Sequence, residues 1–360
     1  MTLRLSTAGE SHGPALVGIV SGLPAALQLD RAAIDHDLAR RQAGYGRSPR
    51  QRIETDTVEV LAGLRHGYTL GTPLALVVRN RDHANWTWGM SPWPPDDEPA
   101  GKGTRPVTLP RPGHADLAGA LKFGHADVRN VLERASARST AIRVAAGAVA
   151  KALLAQLGAG VGSTVVSVGG ETDDERRRGA VDEARTDRET LGGVVEVRAS
   201  GLLPGLGSYA TPEERLDARL AGGLMGIQAV KAVEIGEGAD LAGRRGSEAH
   251  DEIFPGFRRQ TNHAGGLEGG VTNGEDVVVR AAMKPLPTLM RPLRSVDLAT
   301  GEEGEALVER SDVSAVEALA VVAEAVVAWE LARAAREKFG GDALGDMLAA
   351  AAAYRDRIPW

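Results

Sequence analysis

Apolar and polar residues are distributed along this chain in a pattern that predicts short strands mixed with a few long helices. The run Ala15 to Val20, entered straight from the turn "AGESHG", has the length of a core strand. Asp30 stands as a cap before a stretch with Ile34 and Leu38 on one face, which predicts a helix over about 31–42. Thr57 to Leu61, Leu74 to Val78, Val194 to Val197, Val230 to Ile235 and Val277 to Met283 read as strands. Stretches rich in Ala, Val and Leu predict long helices from about Ser136 to Leu157 and from about Ser314 to Lys338, the latter marked at its start by Ser311 and Asp312. "TPEE" at 211–214 reads as a helix start, with Thr as cap, Pro in the first turn and Glu three residues on. Residues 169–190 are charged and read as solvated, whereas 80–113 and 243–275 read as long irregular segments. Loops of that length usually carry function or are disordered.

Strands without regular βαβ spacing favour α+β over a doubly wound sheet. No linker and no solenoid period divides the chain, so residues 1–360 read as one domain with irregular loops near 40–52, 80–113 and 243–275. "GHAD" occurs at 113–116 and again at 124–127, too few copies for a repeat architecture.

Composition bounds this picture. Of 360 residues 43% are hydrophobic but only 4% aromatic, so the core must be built mostly from Ala, Val and Leu. No apolar run approaches the ~18 residues of a membrane span. The N-terminus lacks a basic segment followed by an apolar one, which argues against a signal peptide and for a cytoplasmic protein. With no cysteine, disulfides, thiolate chemistry and Cys-ligated metal are excluded. Net charge is −6, yet the basic residues are 36 arginines and 6 lysines. Arginine binds phosphates and carboxylates through a rigid fork. GC-rich codon usage accounts for much of the excess, so placement rather than number carries any functional reading.

Five segments place Gly, Arg, His and small polar residues in turns beside long elements: 8–13, 40–52, 111–116, 133–143 and 310–312. His12 lies between Gly9 and Gly13, where the backbone can approach a ligand closely and a histidine can exchange protons near neutral pH. The plainer alternative is a tight turn with an exposed histidine. Arg40, Arg41, Arg47, Arg50 and Arg52 surround Gly44 and Gly46, suiting either a loop that closes on an anion or a solvated basic loop. A nucleic-acid stripe fits less well, because the chain is acidic and aromatics for stacking are scarce.

"RPGHAD" supplies Arg111, His114 and Asp116. The spacing of His114 and His125 matches no metal motif, and no metal is expected. Arg134, Ser136, Arg138 and Ser139 read as a helix start, which is either a phosphate site or ordinary Ser capping with surface Arg. Arg310, Ser311 and Asp312 repeat that arrangement, where Asp312 alone would be an N-cap. Lys284 ends a strand between stiff residues, as a phosphate or flavin contact or a strand-end charge.

Taken together, "GESHGPALVGIVSGLP", "ERASARSTAIRVAAG" and "RSDVSAVEALAVVAEAVVAWELA" resemble the three signatures of the chorismate synthase family. "DLARRQAGYGRSPRQRIE", "RPGHADLAGALKFGH", "NHAGGLEGGVTNG" and "MKPLPTL" resemble its intervening blocks in the right order, and the likeness spans about residues 4 to 338. The resemblance implies a single-domain α+β sandwich of long helices and antiparallel sheets, assembled as a homotetramer. It implies an anti 1,4-elimination: 5-enolpyruvylshikimate 3-phosphate loses phosphate and a ring proton to give chorismate in the shikimate pathway. Reduced FMN is required without net redox change.

By match to the family blocks, Arg41, Arg47, Arg111 and Arg138 contact the substrate or its anionic groups. His114 is assigned to help phosphate leave, as a histidinium that stabilises or protonates the leaving oxygen. His12 matches the histidine that manages protonation of the reduced flavin. Asp312 matches the acid that works with the flavin N5 in removing the ring proton. The flavin contacts carried over are Arg134, Ala135, Ser136, Gln228, Ala229, Gly269, Lys284, Pro285, Leu286, Pro287, Thr288 and Arg310. Gln228 departs from the smaller polar residue expected at its position.

Some family members also reduce FMN with NADPH. With no appended reductase visible in this chain, an outside source of reduced flavin is expected, NADPH being an indirect reductant. The partners expected are the small phosphorylated substrate and further copies of the chain, not nucleic acid or a membrane. Two rivals remain: an arginine-rich binder of phosphate or nucleic acid, with affinity falling steeply in salt, and a flavin oxidoreductase.

Overall fold

The computed structural model describes residues 2–47, 55–306 and 312–358. Two four-stranded antiparallel sheets enclose a layer of helices. The first sheet joins β1 (Arg4–Ala8), β2 (Ala15–Ser21), β3 (Val58–Ala62) and β4 (Leu74–Arg79) in the order β1-β2-β4-β3. The second joins β5 (Gly160–Val168), β6 (Gly193–Ser200), β7 (Val230–Ile235) and β8 (Val277–Met283) in the order β5-β6-β8-β7. Period-2 alternation sets one face of each sheet inward. Leu16 and Val20 of β2 pair with Val78 and Leu74 of β4, and Val279 of β8 pairs with Val197 of β6, all of them buried.

The helices are α1 (Arg31–Gln42), α2 (Asp116–Phe123), α3 (Arg129–Ala135), α4 (Thr140–Gln156), α5 (Asp174–Thr186), α6 (Leu216–Met225), α7 (Val316–Phe339) and α8 (Leu344–Arg357). Two of them, α4 and α7, are apolar around most of their circumference, the mark of helices buried between layers. α4 lies against the first sheet, α7 lies against the second, and the two pack on each other. One apolar cluster runs through both sheets and this layer, built mainly of Ala, Val and Leu.

Close approach of α4 and α7 depends on Gly147. A Cβ built there would stand 2.3 Å from Ala325 Cβ and 2.6 Å from Ala325 Cα. Gly147→Ala therefore forces the helix backbones apart. We expect a net loss of about 1–3 kcal/mol in urea unfolding, although alanine alone would favour a helix by about 1 kcal/mol. A variant as stable as the parent would show that this contact yields without cost.

Asp30 caps α1 by accepting from Ala32 N at 2.9 Å, and the helix has the bounds its pattern predicts. Other boundaries differ for identifiable reasons. "TPEE" is a turn, not a helix start: Glu214 N donates to Thr211 O, and the Glu214 carboxylate is taken by Ser208 Oγ at 2.9 Å. α6 begins instead at Leu216, which sets Leu216, Leu220 and Leu224 on its buried face. Residues 174–186, read as solvated, form a capped helix whose buried face is only Val181 and Ala184. The 243–275 segment includes a one-turn helix at Gly246–Ala249 and a two-residue hairpin. α7 starts at Val316 with Ala315 as its N-cap, so Asp312 is not a cap. Among the described residues no helix is long and apolar enough to cross a membrane.

Candidate active site

A cavity of about 500 Å³ is lined by the turn after β1, the last turn of α1, the 111–115 loop and the junction of α3 with α4. The entry to β7, the exit from β8 and the start of α7 complete it. It holds His12, His114 and Asp312, and also Arg41, Arg47, Arg111 and Arg138.

His12 is not an exposed turn residue, since only 6% of its surface remains accessible. Its ring stacks on Trp86 at 4.0 Å between centroids and 17° between planes. Its Nδ1 lies 2.9 Å from Glu133 Oε1, and its backbone N–H donates to Glu133 Oε2 at 2.8 Å. Gly9 has φ +111°, and a Cβ there would lie 2.4 Å from Ala15 O. That glycine thus serves the chain's own sharp entry into β2.

His114 is held in the same manner. Its Nδ1 is 2.5 Å from Asp116 Oδ1, and Asp116 is 1% exposed. Arg111 Nε donates to the other oxygen, Asp116 Oδ2, at 2.9 Å. The ionised Asp116 carboxylate can only accept, so the proton of this short contact sits on His114 Nδ1 and points to Asp116, although Arg111 Nη2 also lies 3.2 Å from that nitrogen. Burial opposes the charge on Asp116, but the hydrogen bonds from His114 and Arg111 outweigh it. They hold the carboxyl well below the usual carboxylate range.

The arginines are tied down before any ligand arrives. Asp56, wholly buried, accepts at one oxygen from Arg41 Nη2 at 2.8 Å and from Arg138 Nη1 at 2.7 Å. Arg138 Nε also donates to Asn80 Oδ1 at 2.9 Å. Arg47 pairs with Asp312 at 2.7 Å, both side chains being nearly buried. Burial pushes the Arg47 guanidinium down from its ordinary value, and the charges of Asp312 and Glu317 pull it back. Three aspartates against four arginines leave the cavity cationic, with the guanidinium forks fixed in place. Arg40, grouped with Arg41 by sequence, points elsewhere and pairs with Glu324. Asp56, Glu133 and Trp86 were missed by the sequence reading. Glu133 stood immediately before Arg134 in a segment already singled out, whereas Asp56 had no local signal.

The residues matched to flavin contacts divide. Ala135, Ser136, Gln228, Ala229, Lys284, Leu286, Pro287 and Thr288 line the cavity, while Pro285, Arg134 and Gly269 do not. Arg134 ends α3 instead of starting a helix, and its guanidinium donates to Thr7 O at 3.0 Å and Gly9 O at 3.1 Å. Gly269 sits in the turn of the 267–272 hairpin with φ +61°. Ser136 caps the short turn Ala137–Ser139 ahead of α4 and donates from its hydroxyl to Ser11 Oγ. Gln228 donates to Ser139 Oγ at 3.0 Å. Arg310 and Ser311 lie outside the described residues, as do Arg50 and Arg52. Among the described residues no group of three or more His, Asp or Glu side chains is placed to hold a metal ion.

These cations are gathered inside a cavity with apolar walls rather than strung along an open face, which classes the protein with enzymes that act on a small polyanion. Comparison with known proteins supplies the particular family. The family model for chorismate synthase matches residues 3–335. Chorismate synthases of Desulforudis audaxviator and Geobacter sulfurreducens are each 53% identical to this chain. The alignments cover 99% of this chain and 98% of the first protein, and 96% of this chain and of the second. A solved structure described as a crystal structure of chorismate synthase superposes with a TM-score of 0.79 at 37% identity, covering 100% of this chain and 99% of that one. The chain belongs to the chorismate synthase family, and with it to the carbon–oxygen lyases of the shikimate pathway.

Proposed function

We propose that the cavity eliminates phosphate from 5-enolpyruvylshikimate 3-phosphate to give chorismate, with reduced FMN bound beside the substrate. The observation that carries this reading is convergence: His12, His114 and Asp312 come from distant parts of the sequence and share one arginine-lined cavity.

A flavin fits these walls. Ile227, Met283, Leu286 and Leu319 offer apolar surface to a flat ring. Arg41 Nε, Arg47 Nε and Gln228 Oε1 are buried polar atoms without a hydrogen-bond partner among the described residues, so a polar ligand would satisfy them. Ala135, Ser136, Gln228, Ala229, Lys284, Leu286, Pro287 and Thr288 are the residues that would hold it. When bound, the reduced flavin supplies an electron-rich ring that eases departure of the anionic leaving group.

The chain's own groups do the rest. Arg41, Arg111 and Arg138 bind the carboxylates and phosphate of the substrate in forks that are already oriented. His114, aligned by Asp116 through Nδ1, presents Nε2 to protonate the departing phosphate oxygen. Asp312 accepts the ring proton, and Arg47, 2.7 Å away, aims its carboxylate. His12 holds a proton at the cavity wall for the flavin. The apolar lining excludes water and strengthens each of these interactions.

The test is an anaerobic assay with the phosphorylated substrate, with and without dithionite-reduced FMN. Chorismate and inorganic phosphate are expected in equal amounts, only in the reduced sample, with the flavin still reduced at the end. Absence of product in that sample rejects the proposal. Flavin oxidised in step with product makes the protein an oxidoreductase instead.

A further inference from the structure

We propose that Glu133 is the positioning residue of His12, locking the imidazole with its proton on Nδ1 so that proton exchange runs through Nε2. The inference rests on the elimination reading above, but its geometry stands apart from it.

Glu133 is 2% exposed and closes α3 directly under the turn that carries His12. Three contacts join this one residue to that turn. Its backbone carbonyl accepts from Ser11 N at 2.9 Å. Its carboxylate accepts from His12 N at 2.8 Å through Oε2. The ring Nδ1 lies 2.9 Å from Oε1 and 3.1 Å from Oε2. Arg129 Nη1 lies 3.7 Å from Oε1.

An ionised carboxylate has no proton to give, so the hydrogen in this contact belongs to His12 Nδ1. A neutral His12 is thereby confined to one tautomer. A protonated His12 gains a counter-charge that is itself buried and cannot swing away. Trp86 stacked on the ring face removes the remaining freedom, rotation about χ2. His83 Nδ1 within 2.9 Å of His12 O pins the main chain from the other side. The orientation of a catalytic imidazole by a carboxylate at its second nitrogen is the logic of acid–base triads.

Glu133→Gln separates positioning from folding. The amide keeps the size of the side chain, and its carbonyl can still accept from His12 N. Its NH₂ donates toward Nδ1, which favours the opposite tautomer. In the full-length protein labelled with ¹⁵N-histidine, the His12 signal, assigned by its loss in His12→Ala, should report the Nδ1–H form in the parent and the Nε2–H form in Glu133→Gln. Turnover with reduced FMN should fall by roughly 10- to 100-fold in kcat, with KM for the phosphorylated substrate little changed. In a His12→Ala background the same Glu133→Gln change should cost less than about twofold further, because the two residues act as one unit.

An Nε2–H signal in the parent overturns the proposal, as does full kcat in Glu133→Gln. A loss equally large without His12 assigns Glu133 a structural role instead. If the parent makes no chorismate at all, the elimination reading fails, while the ¹⁵N signals still decide the tautomer.

Discussion

His114→Ala should lower kcat for the elimination by about 10²–10⁴-fold, the usual contribution of a positioned general acid. KM should hardly move, because Arg41, Arg111 and Arg138 keep their carboxylate partners when the imidazole is removed. Asp116 remains held by Arg111 through its backbone N–H and its Nε, at 3.1 and 2.9 Å, so the loop should keep its shape. Steady-state kinetics with saturating reduced FMN checks this, and unchanged kcat would remove His114 from the mechanism. The carboxylate beneath it also sets a pH boundary. A carboxyl whose folded value is depressed stabilises the fold fully above its unfolded value, near 3.9, and loses that contribution only as pH falls through the lower folded value. Any loss of activity between pH 7 and 5 therefore comes from groups other than Asp116.

Glu324→Gln should destabilise the protein by about 3–5 kcal/mol, the cost of removing one member of a buried ion network. Glu324 is 2% exposed at the middle of α7. It accepts from both Nη atoms of Arg40 at 2.9 Å, from Lys151 Nζ at 2.7 Å and from Ser163 Oγ at 2.7 Å. Asp37 shares the two cations, at 2.9 Å from Arg40 and 2.6 Å from Lys151. The amide would leave two partly buried cations to a single carboxylate.

Burial opposes the charge of Glu324, yet the hydrogen bonds from Arg40 and Lys151 bring its carboxyl down to about 2 from an ordinary 4.5. That depression corresponds to roughly 3 kcal/mol of stability, present above pH 4.5 and lost as pH falls toward 2. Urea unfolding of parent and variant should accordingly show a constant gap above pH 5 that narrows below pH 4.5. A gap that is absent, or that ignores pH in this range, would show that the network contributes nothing net.

Elements with strong local signals were legible in the chain. Asp30 before Ile34 and Leu38 defined α1, and uninterrupted β-rich runs defined β7 and β8 to the residue. Elements that meet the core through few small residues were not. α5 buries only Val181 and Ala184, too little apolar surface for a period to stand out. Arg134 shows the limit of reasoning from neighbours in sequence. It stands just before two cavity residues, Ala135 and Ser136, but the last turn of α3 directs it to the carbonyls of Thr7 and Gly9.

By itself the sequence determined the α+β class, the family and the residue types of the site, because each of those is written in local periodicity or in short ordered motifs. Only the tertiary structure decided which carboxylate faces which cation. Asp56 between Arg41 and Arg138, Asp116 under His114 and Glu133 under His12 are contacts whose chain separations run from 2 to 121 residues. Electrostatic pairing acts through space in a desolvated interior, and one-dimensional spacing carries no record of it.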